Sequence, residues 1–427
     1  MHPARRSAPT RPWFSRRTAL LLMAAAACSF QAHAADVTIT ASFEPSITRP
    51  GHNVFTNTTP NSGVCLTNPV VCGGEHGVEL NVDLTYGPFV PGAPARQQAF
   101  FRVPEGPTPA RPRAVRLTHV ETGETVTAYW AVTLLAGKYV LPRSVRQIVP
   151  GSTSNTDGHS KLWGSSWVNA PAGCGNTQYG ALLDTYYKWG WRFQGTQSSC
   201  VKSARHAFES MKMEDLSIAY TMITPDPLAM KNGTYTGELS LGIGPGQDFD
   251  FGDNAVASDS QLTIHFELDV SHYFDVRFPA NAGSVQLQPS GGWKQWTDYN
   301  IRPAWLFNDM PFSVASSSQF SVELRCGIQS GERCGMQREG GSEVVPLDID
   351  LLIPGTLDAS TQQPIQRTPV PTEHSGRPAL LARSVGFLVN RPSRLRFRVE
   401  GQAVDTLLDA PGSSWAGDVT VIFDAEP

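Results

Sequence analysis

Charge is scarce in this sequence: Asp, Glu, Lys and Arg together make up 17% of its 427 residues. Helix-rich enzymes carry more Lys and Glu than this, and the βαβ rhythm of an α/β enzyme is missing. No basic run and no nucleic-acid motif occurs beyond the extreme N-terminus, which excludes nucleic-acid binding by bulk electrostatics. GxSxG, HExxH, P-loop and GxGxxG motifs are all absent, so those hydrolase, zinc-protease and nucleotide signatures are excluded as well. Past the N-terminal leader, no segment is long and apolar enough to cross a bilayer as a helix.

Turn formers are plentiful by contrast. The chain holds 38 Gly and 33 Pro, and 40% of its residues are hydrophobic. That combination fits a well-filled core built from short strands joined by many turns. The length suits two or three domains.

Residues 1–34 read as an export signal. Arg5, Arg6, Arg11, Arg16 and Arg17 precede the apolar run ALLLMAAAACSF, and AHA at 32–34 offers small residues for cleavage, so the mature chain is expected to begin near Ala35. An ordinary secretory leader and a twin-arginine signal around SRRTALLL are both readings of this segment. Removing its five arginines, with no acid among them, leaves 29 bases against 38 acids, a net of −9.

Without Cys28, six cysteines remain, an even number in an exported chain, which favours disulfides over zinc. Fifteen pairings are open in principle. Neighbour pairing is the simplest: Cys65 with Cys72, Cys174 with Cys200, Cys326 with Cys334. The spacings are not CxxC, and no His pair stands beside them at ligand spacing.

Period-two alternation predicts strands. LTIHFELDV puts Leu262, Ile264, Phe266, Leu268 and Val270 on one face; VPLDIDLLI does the same with Val345, Leu347, Ile349, Leu351 and Ile353. RLRFRVE, FSVEL and VELNVDL behave alike. One wet and one dry face per strand means antiparallel sheets packed in sandwiches. HVETGETVTAYWAVTLL predicts a hairpin turning at Thr122 and Gly123. Weak helical patterns predict a few turns over 203–216 and within GALLDTYYKWGW. A boundary is expected at Pro279, dividing 35–279 from 280–427. The polar, Pro-rich stretch 356–378 reads as a long surface loop of the second domain.

Few residues point to chemistry. GIGPGQDFDFGDN offers Asp248, Asp250 and Asp253, but Gly252 and the missing terminal Glu are out of register for a calcium loop, so it reads as a Gly-rich turn. Paired carboxylates for glycoside hydrolysis cannot be located in sequence, and a secreted carbohydrate-active β-sandwich enzyme is the enzymatic alternative. The segment LWGSSWVNAPAGCGNTQYGALLDTYYKWGWRF is rich in aromatics. Trp163, Trp167, Tyr186, Tyr187 and Trp189, with Arg192, form a candidate receptor surface, because exposed Trp and Tyr stack on sugars. The same residues also suit a sandwich core. Lys188, Arg192 and Lys202 either meet an acidic sugar or keep that face soluble.

Taken in order, several stretches resemble a known family. They are CLTNPVVC at 65–72, YTMITPDPLAMKNGTYTGELSLGI at 220–243, LTIHFELDVSHYFDVRFP, VQLQPSGG at 285–292, and SSWAGDVTVIFDAEP at the C-terminus. Their order and spacing resemble the minor tip adhesins of alpha-type chaperone–usher fimbriae, the family of the colonization factor antigen I and cable pilus tip proteins.

The resemblance implies an all-β protein of two tandem immunoglobulin-like β-sandwiches, an adhesin domain followed by a pilin domain lacking one strand. It implies that the gap is filled first by a periplasmic chaperone and then by the N-terminal strand of a major pilin subunit, delivered at an outer-membrane usher. VTVIF would then be an edge strand with Val419, Val421 and Phe423 facing one way, and a chaperone cation would hold the terminal carboxylate. DVTITASFEP resembles a donor strand but reads as the first strand of the adhesin domain. The implied function is adhesion to a host receptor, with a glycan expected, from the fimbrial tip at the cell surface, together with initiation of assembly. A tip initiator without a receptor is the structural alternative. No enzymatic activity and no cofactor are expected. The chain departs from the family where many pilins have a penultimate Tyr and a Gly fourteen from the end, since Glu426 and Ser414 stand there. It also has the acidic GPGQDFDFG where the colonization factor adhesins carry adjacent arginines.

Overall fold

In Gln261–Val270, every second side chain from Leu262 to Val270 is buried and those between face outward. The same arithmetic builds most of the molecule: side chains alternate across a strand, so one apolar face condenses against another. The computed structural model describes residues 35–104, 112–193, 199–280 and 282–425. The leader read over 1–34, with Cys28, and the departure at Glu426 lie outside them.

The first unit contains β1 (Ala35–Phe43), β2 (Thr56–Asn57), β3 (His76–Glu79), β4 (Leu84–Tyr86), β5 (Ala99–Arg102), β6 (Arg113–His119) and β7 (Thr125–Val140). It continues with β8 (Gly175–Leu182), β9 (Tyr186–Arg192), β10 (Ser199–Lys202), β11 (Met211–Ile223), β12 (Gly233–Gly242), β13 (Ala255–Ala257) and β14 (Gln261–Val270). Twelve of these form one sheet in the order β13-β4-β11-β7-β6-β12-β14-β1-β2, with β3 also on β11, β9 on β7 and β8 on β9; β5 and β10 pair separately. Asn57 of β2 donates to the Tyr220 hydroxyl of β11 at 3.0 Å, so distant strands of the sheet curl over to meet. β1 lies parallel to β14 along its whole length, with Val37, Ile39, Ala41 and Phe43 buried. It is a core strand of the first unit, as the sequence reading has it.

The second unit contains β15 (Phe274–Arg277), β16 (Trp305–Ser316), β17 (Phe320–Cys326), β18 (Gln329–Ser330), β19 (Arg333–Arg338) and β20 (Val344–Asp358). β21 (Pro364–Pro369), β22 (Leu380–Ser384), β23 (Leu388–Glu400), β24 (Trp415–Ala416) and β25 (Val419–Asp424) follow. Its main path runs β15-β16-β23-β20-β22-β17-β25. The apolar cores of the two units share no residue. The protein is all-β, with two curled sheets around two cores.

The hairpin turns where expected, with Gly123 at φ +71° and its N–H donating to the His119 carbonyl. Four expectations need correction. YFDVRF does not close the first unit: β15 pairs with Ser313–Ser316 of β16, and Phe274 and Val276 pack on the second core, so the sheets part at residues 271–273. The helical turns expected over 203–216 and within GALLDTYYKWGW are absent; β8, β9 and β11 occupy much of those segments. Burial of Tyr187, Trp189 and Trp191, and of Met211 and Met213, follows period two. A helix forms instead at Asn155–Trp163, where the Ser154 hydroxyl accepts from the Asp157 N–H. The stretch 356–378 is not a bare loop, since β21 pairs with β20 and buries Ile365. GIGPGQDFDFGDN is a turn whose carboxylates meet arginines: Asp248 pairs with Arg113, and Asp250 and Asp253 with Arg96.

Candidate functional site

The six residues read as a receptor surface separate in the structure. Trp167 and Trp189 are 0% exposed, and Trp163 and Tyr187 are buried beside them. β9 sends Tyr187, Trp189 and Trp191 inward, where ring centroids of Trp189 and Trp191 lie 4.3 Å apart and those of Trp167 and Trp191 5.0 Å. Trp191 donates to the Trp167 carbonyl at 2.8 Å and Trp163 to the Tyr139 hydroxyl at 3.2 Å. Burial of so much apolar area outweighs exposure, and these four residues are core, not receptor surface. Tyr186 is half-buried at the start of β9. Arg192 is spent within the protein: it pairs with Glu75 and donates to the Val71 carbonyl at 3.1 Å, tying the Cys65–Cys72 turn to the sheet. Lys202 is buried too, and its ammonium donates to Ser165 Oγ, Ser166 O and Asn169 O at 2.8, 2.8 and 3.0 Å.

The three neighbour pairs of cysteines are bonded, Cys65 to Cys72, Cys174 to Cys200 and Cys326 to Cys334. The first closes two short helical turns, Gly63–Thr67 and Pro69–Cys72, over the outer face of β7 and β11. The third joins β17 to β19, next to the last strand.

That last strand ends the second sheet as an open edge. Among the described residues β25 pairs only with β17, with Val419 opposite Cys326, Val421 opposite Leu324 and Phe423 opposite Val322. Val322 and Leu324 are buried, whereas Val419, Val421 and Phe423 face the same core and are covered only in part. At the other end of the sheet stands β15. Just beyond it Phe278, 40% exposed, brings its ring to 5.2 Å from Phe312 and 6.2 Å from Phe423. The sheet curls until its two end strands face one another through side chains, with no ladder of backbone bonds between them. An edge of this kind presents unpaired N–H and C=O groups beside an incompletely covered apolar floor. The resemblance implies an edge strand at β25, and its alternation sets Val419, Val421 and Phe423 on one face. Phe278 and Phe312 are not reached by sequence reading; the signal that could have found them is the alternation Phe274, Val276, Phe278 in YFDVRF, which belongs to the second unit.

No protein-family model matches the chain, and no curated protein matches it. Among solved structures, a chaperone–tip adhesin complex of CFA/I fimbriae biogenesis covers 92% of this chain and 96% of its own, at 9% identity and a TM-score of 0.21. A mutant of the CFA/I adhesin CfaE of enterotoxigenic E. coli covers 91% and 92%, at 9% identity and a TM-score of 0.23. The CsuC–CsuE chaperone–tip adhesion subunit complex from Csu pili of Acinetobacter baumannii covers 92% and 98%, at 10% identity and a TM-score of 0.22. Superpositions this loose carry no argument; the fold rests on the strand pairing described above.

Proposed function

We propose that the chain is a fimbrial tip subunit whose second unit is completed by a β-segment from another polypeptide. The observation that carries this reading is the edge of β25, with Val419, Val421 and Phe423 facing the core yet only partly covered. An added strand would satisfy the open backbone groups by main-chain bonds and seat alternate side chains over Phe423 and Phe278. The partners are a periplasmic chaperone first, then the N-terminal strand of a major pilin at the outer-membrane usher. The chain accepts such a strand, and among the described residues none stands free to be given ahead of the second unit. The segment before β15 runs back into the first core, and β1 is locked beside β14. That asymmetry suits the tip of a fibre at the cell surface, with the first unit turned toward a host receptor and the function one of adhesion, not catalysis.

Co-expression tests the reading. Without help the chain should aggregate or be degraded; a fimbrial chaperone, or a donor peptide fused beyond Pro427, should yield a soluble monomer. A lone chain that is monomeric and as stable as the complemented one refutes it. The inward turn of Trp163, Trp167, Tyr187 and Trp189 favours a second reading, a tip initiator without a receptor. Failure of the complemented chain to adhere to host cells would select it.

A further inference from the structure

On the outer face of the first sheet lies a cleft of about 210 Å³, roofed on one side by the helical turn Gly63–Thr67. Strands β3, β11, β7, β9 and β8 run side by side beneath it. Their register sets Glu79 beside Ser217, Ser217 beside Ala136, and Ala136 beside Gly190. The Tyr179 ring lies over Gly190, where an added Cβ would stand 3.4 Å from its Cδ1. Ser217 and Ala136, both buried beneath the helical turn, where the Ser217 hydroxyl accepts from the Val64 N–H, close the bottom of the cleft, and its mouth opens between the Glu79 carboxylate and the Tyr179 phenol. Lys138 and Lys188 are paired neighbours in the adjacent row.

The sheet is broken at both margins of this cleft. Between Glu214 and Ser217 the register slips, and Asp215 sits at φ +54°; between Asn176 and Gly180 it slips again, and Gln178 sits at φ +61°. Left-handed non-glycine residues cost on the order of 1 kcal/mol or more each, and bulges collect beside binding sites.

The groups in the cleft are unequally satisfied. Lys138 is answered by Glu214 and Asp215, both at 3.1 Å. Among the described residues, the Glu79 carboxylate, the Lys188 ammonium and the Tyr179 hydroxyl have no hydrogen-bond or ion-pair partner, although all three line the cavity. In the cleft lining two ammonium groups, Lys138 and Lys188, are matched by two carboxylates, Glu79 and Asp215, and Glu214 just outside it also meets Lys138, so no net positive charge calls for an anion. A neutral polyol matches the set. Its hydroxyls donate to Glu79 and accept from Lys188, and the C–H face of its ring lies on Tyr179. The volume is below the roughly 300–1,000 Å³ of drug-sized pockets and accommodates a single sugar ring.

We propose that this cleft is the receptor site of the first unit and takes one neutral hexose-type ring of a surface glycan. The proposal rests on the adhesin reading, and its test is separate from chaperone dependence. The full chain, complemented by a fused donor peptide, is examined by saturation-transfer NMR and titration. The probes are the methyl glycosides of glucose, galactose, mannose and N-acetylglucosamine, with sialyllactose as the anionic probe. At least one neutral glycoside should bind, and more tightly than sialyllactose. Glu79→Gln and Lys188→Met should each weaken it about tenfold, the factor that 1.4 kcal/mol corresponds to, with the unfolding midpoint unchanged. Binding of none of the neutral glycosides, preference for sialyllactose, or neutral binding indifferent to both substitutions overturns the proposal. Each of those outcomes leaves the donor-strand result untouched, so the two readings fail separately.

Discussion

Phe278 and Phe423 meet with ring centroids 6.2 Å apart, although they lie at opposite ends of one sheet. Phe423 also reaches Phe312 at 5.6 Å and Phe320 at 6.5 Å, so a single side chain of the last strand holds both margins of the gap. Thr420, on the opposite face of the same strand, is exposed.

The first prediction follows from that alternation. In the donor-complemented protein, Phe423→Ala should cost about 2–3 kcal/mol, below the 3–5 typical of a fully buried Phe because part of the ring is open. Thr420→Ala should stay within about 0.5 kcal/mol. Urea unfolding checks both. Equal effects at the two positions would mean that β25 does not present one face to the core.

How much of this was legible beforehand depends on the range of the interaction. The strand Gln261–Val270 could be read because its apolar residues fall on strict alternate positions and need only one buried face. β11 was misread because Met211, Met213, Leu216 and Ile218 are spaced by two, three and two; the step of three comes where the bulge at Asp215 shifts the strand by one residue. Nothing local distinguishes an outward from an inward tryptophan. Trp189 is buried because β7 and β8 flank β9 and because Phe101, Trp167 and Trp191 gather over it, contacts that span most of the first unit. The alternation at Val419, Val421 and Phe423 was visible, but the opposite margin at Phe278 depends on how the whole second sheet curls.

The second prediction concerns the Cys174–Cys200 bridge, which links the start of β8 to the small β5–β10 ribbon across 26 residues of sequence. Chain-entropy reasoning gives about 3.5 kcal/mol for closing a loop of that size. Replacing both cysteines by Ser should lower the unfolding free energy of the complemented protein by about 2–4 kcal/mol. The response of β25 to a donor peptide should persist, because that strand belongs to the other core. Denaturant titration, with amide exchange of residues 419–423 followed in parallel, separates the two effects. Loss of donor binding in the double variant would show that the units do not act independently.

The last prediction concerns Lys202, which lies 6.0 Å from the centre of the Trp191 ring and has only neutral acceptors around it. Burial, with no carboxylate to oppose it, lowers its pKa from the ordinary lysine value to about 8. In the unfolded chain the same group titrates near ~10.4. Between those two pH values the unfolded chain holds a proton that the folded one has released, so this group makes unfolding free energy rise with pH. Below about pH 8 both states are protonated and the slope vanishes. Lys202→Met cannot titrate. It also strands Ser165, Ser166 and Asn169 without their donor, which lowers stability by an offset that does not depend on pH. The difference in unfolding free energy between the parent and Lys202→Met should therefore be flat from pH 6 to 7.5 and widen in the parent's favour from pH 8 to 10. A difference that stays constant over the higher range would show that the ammonium keeps its ordinary affinity for the proton, and that the loop carrying Trp167 is wetter than its hydrogen bonds imply.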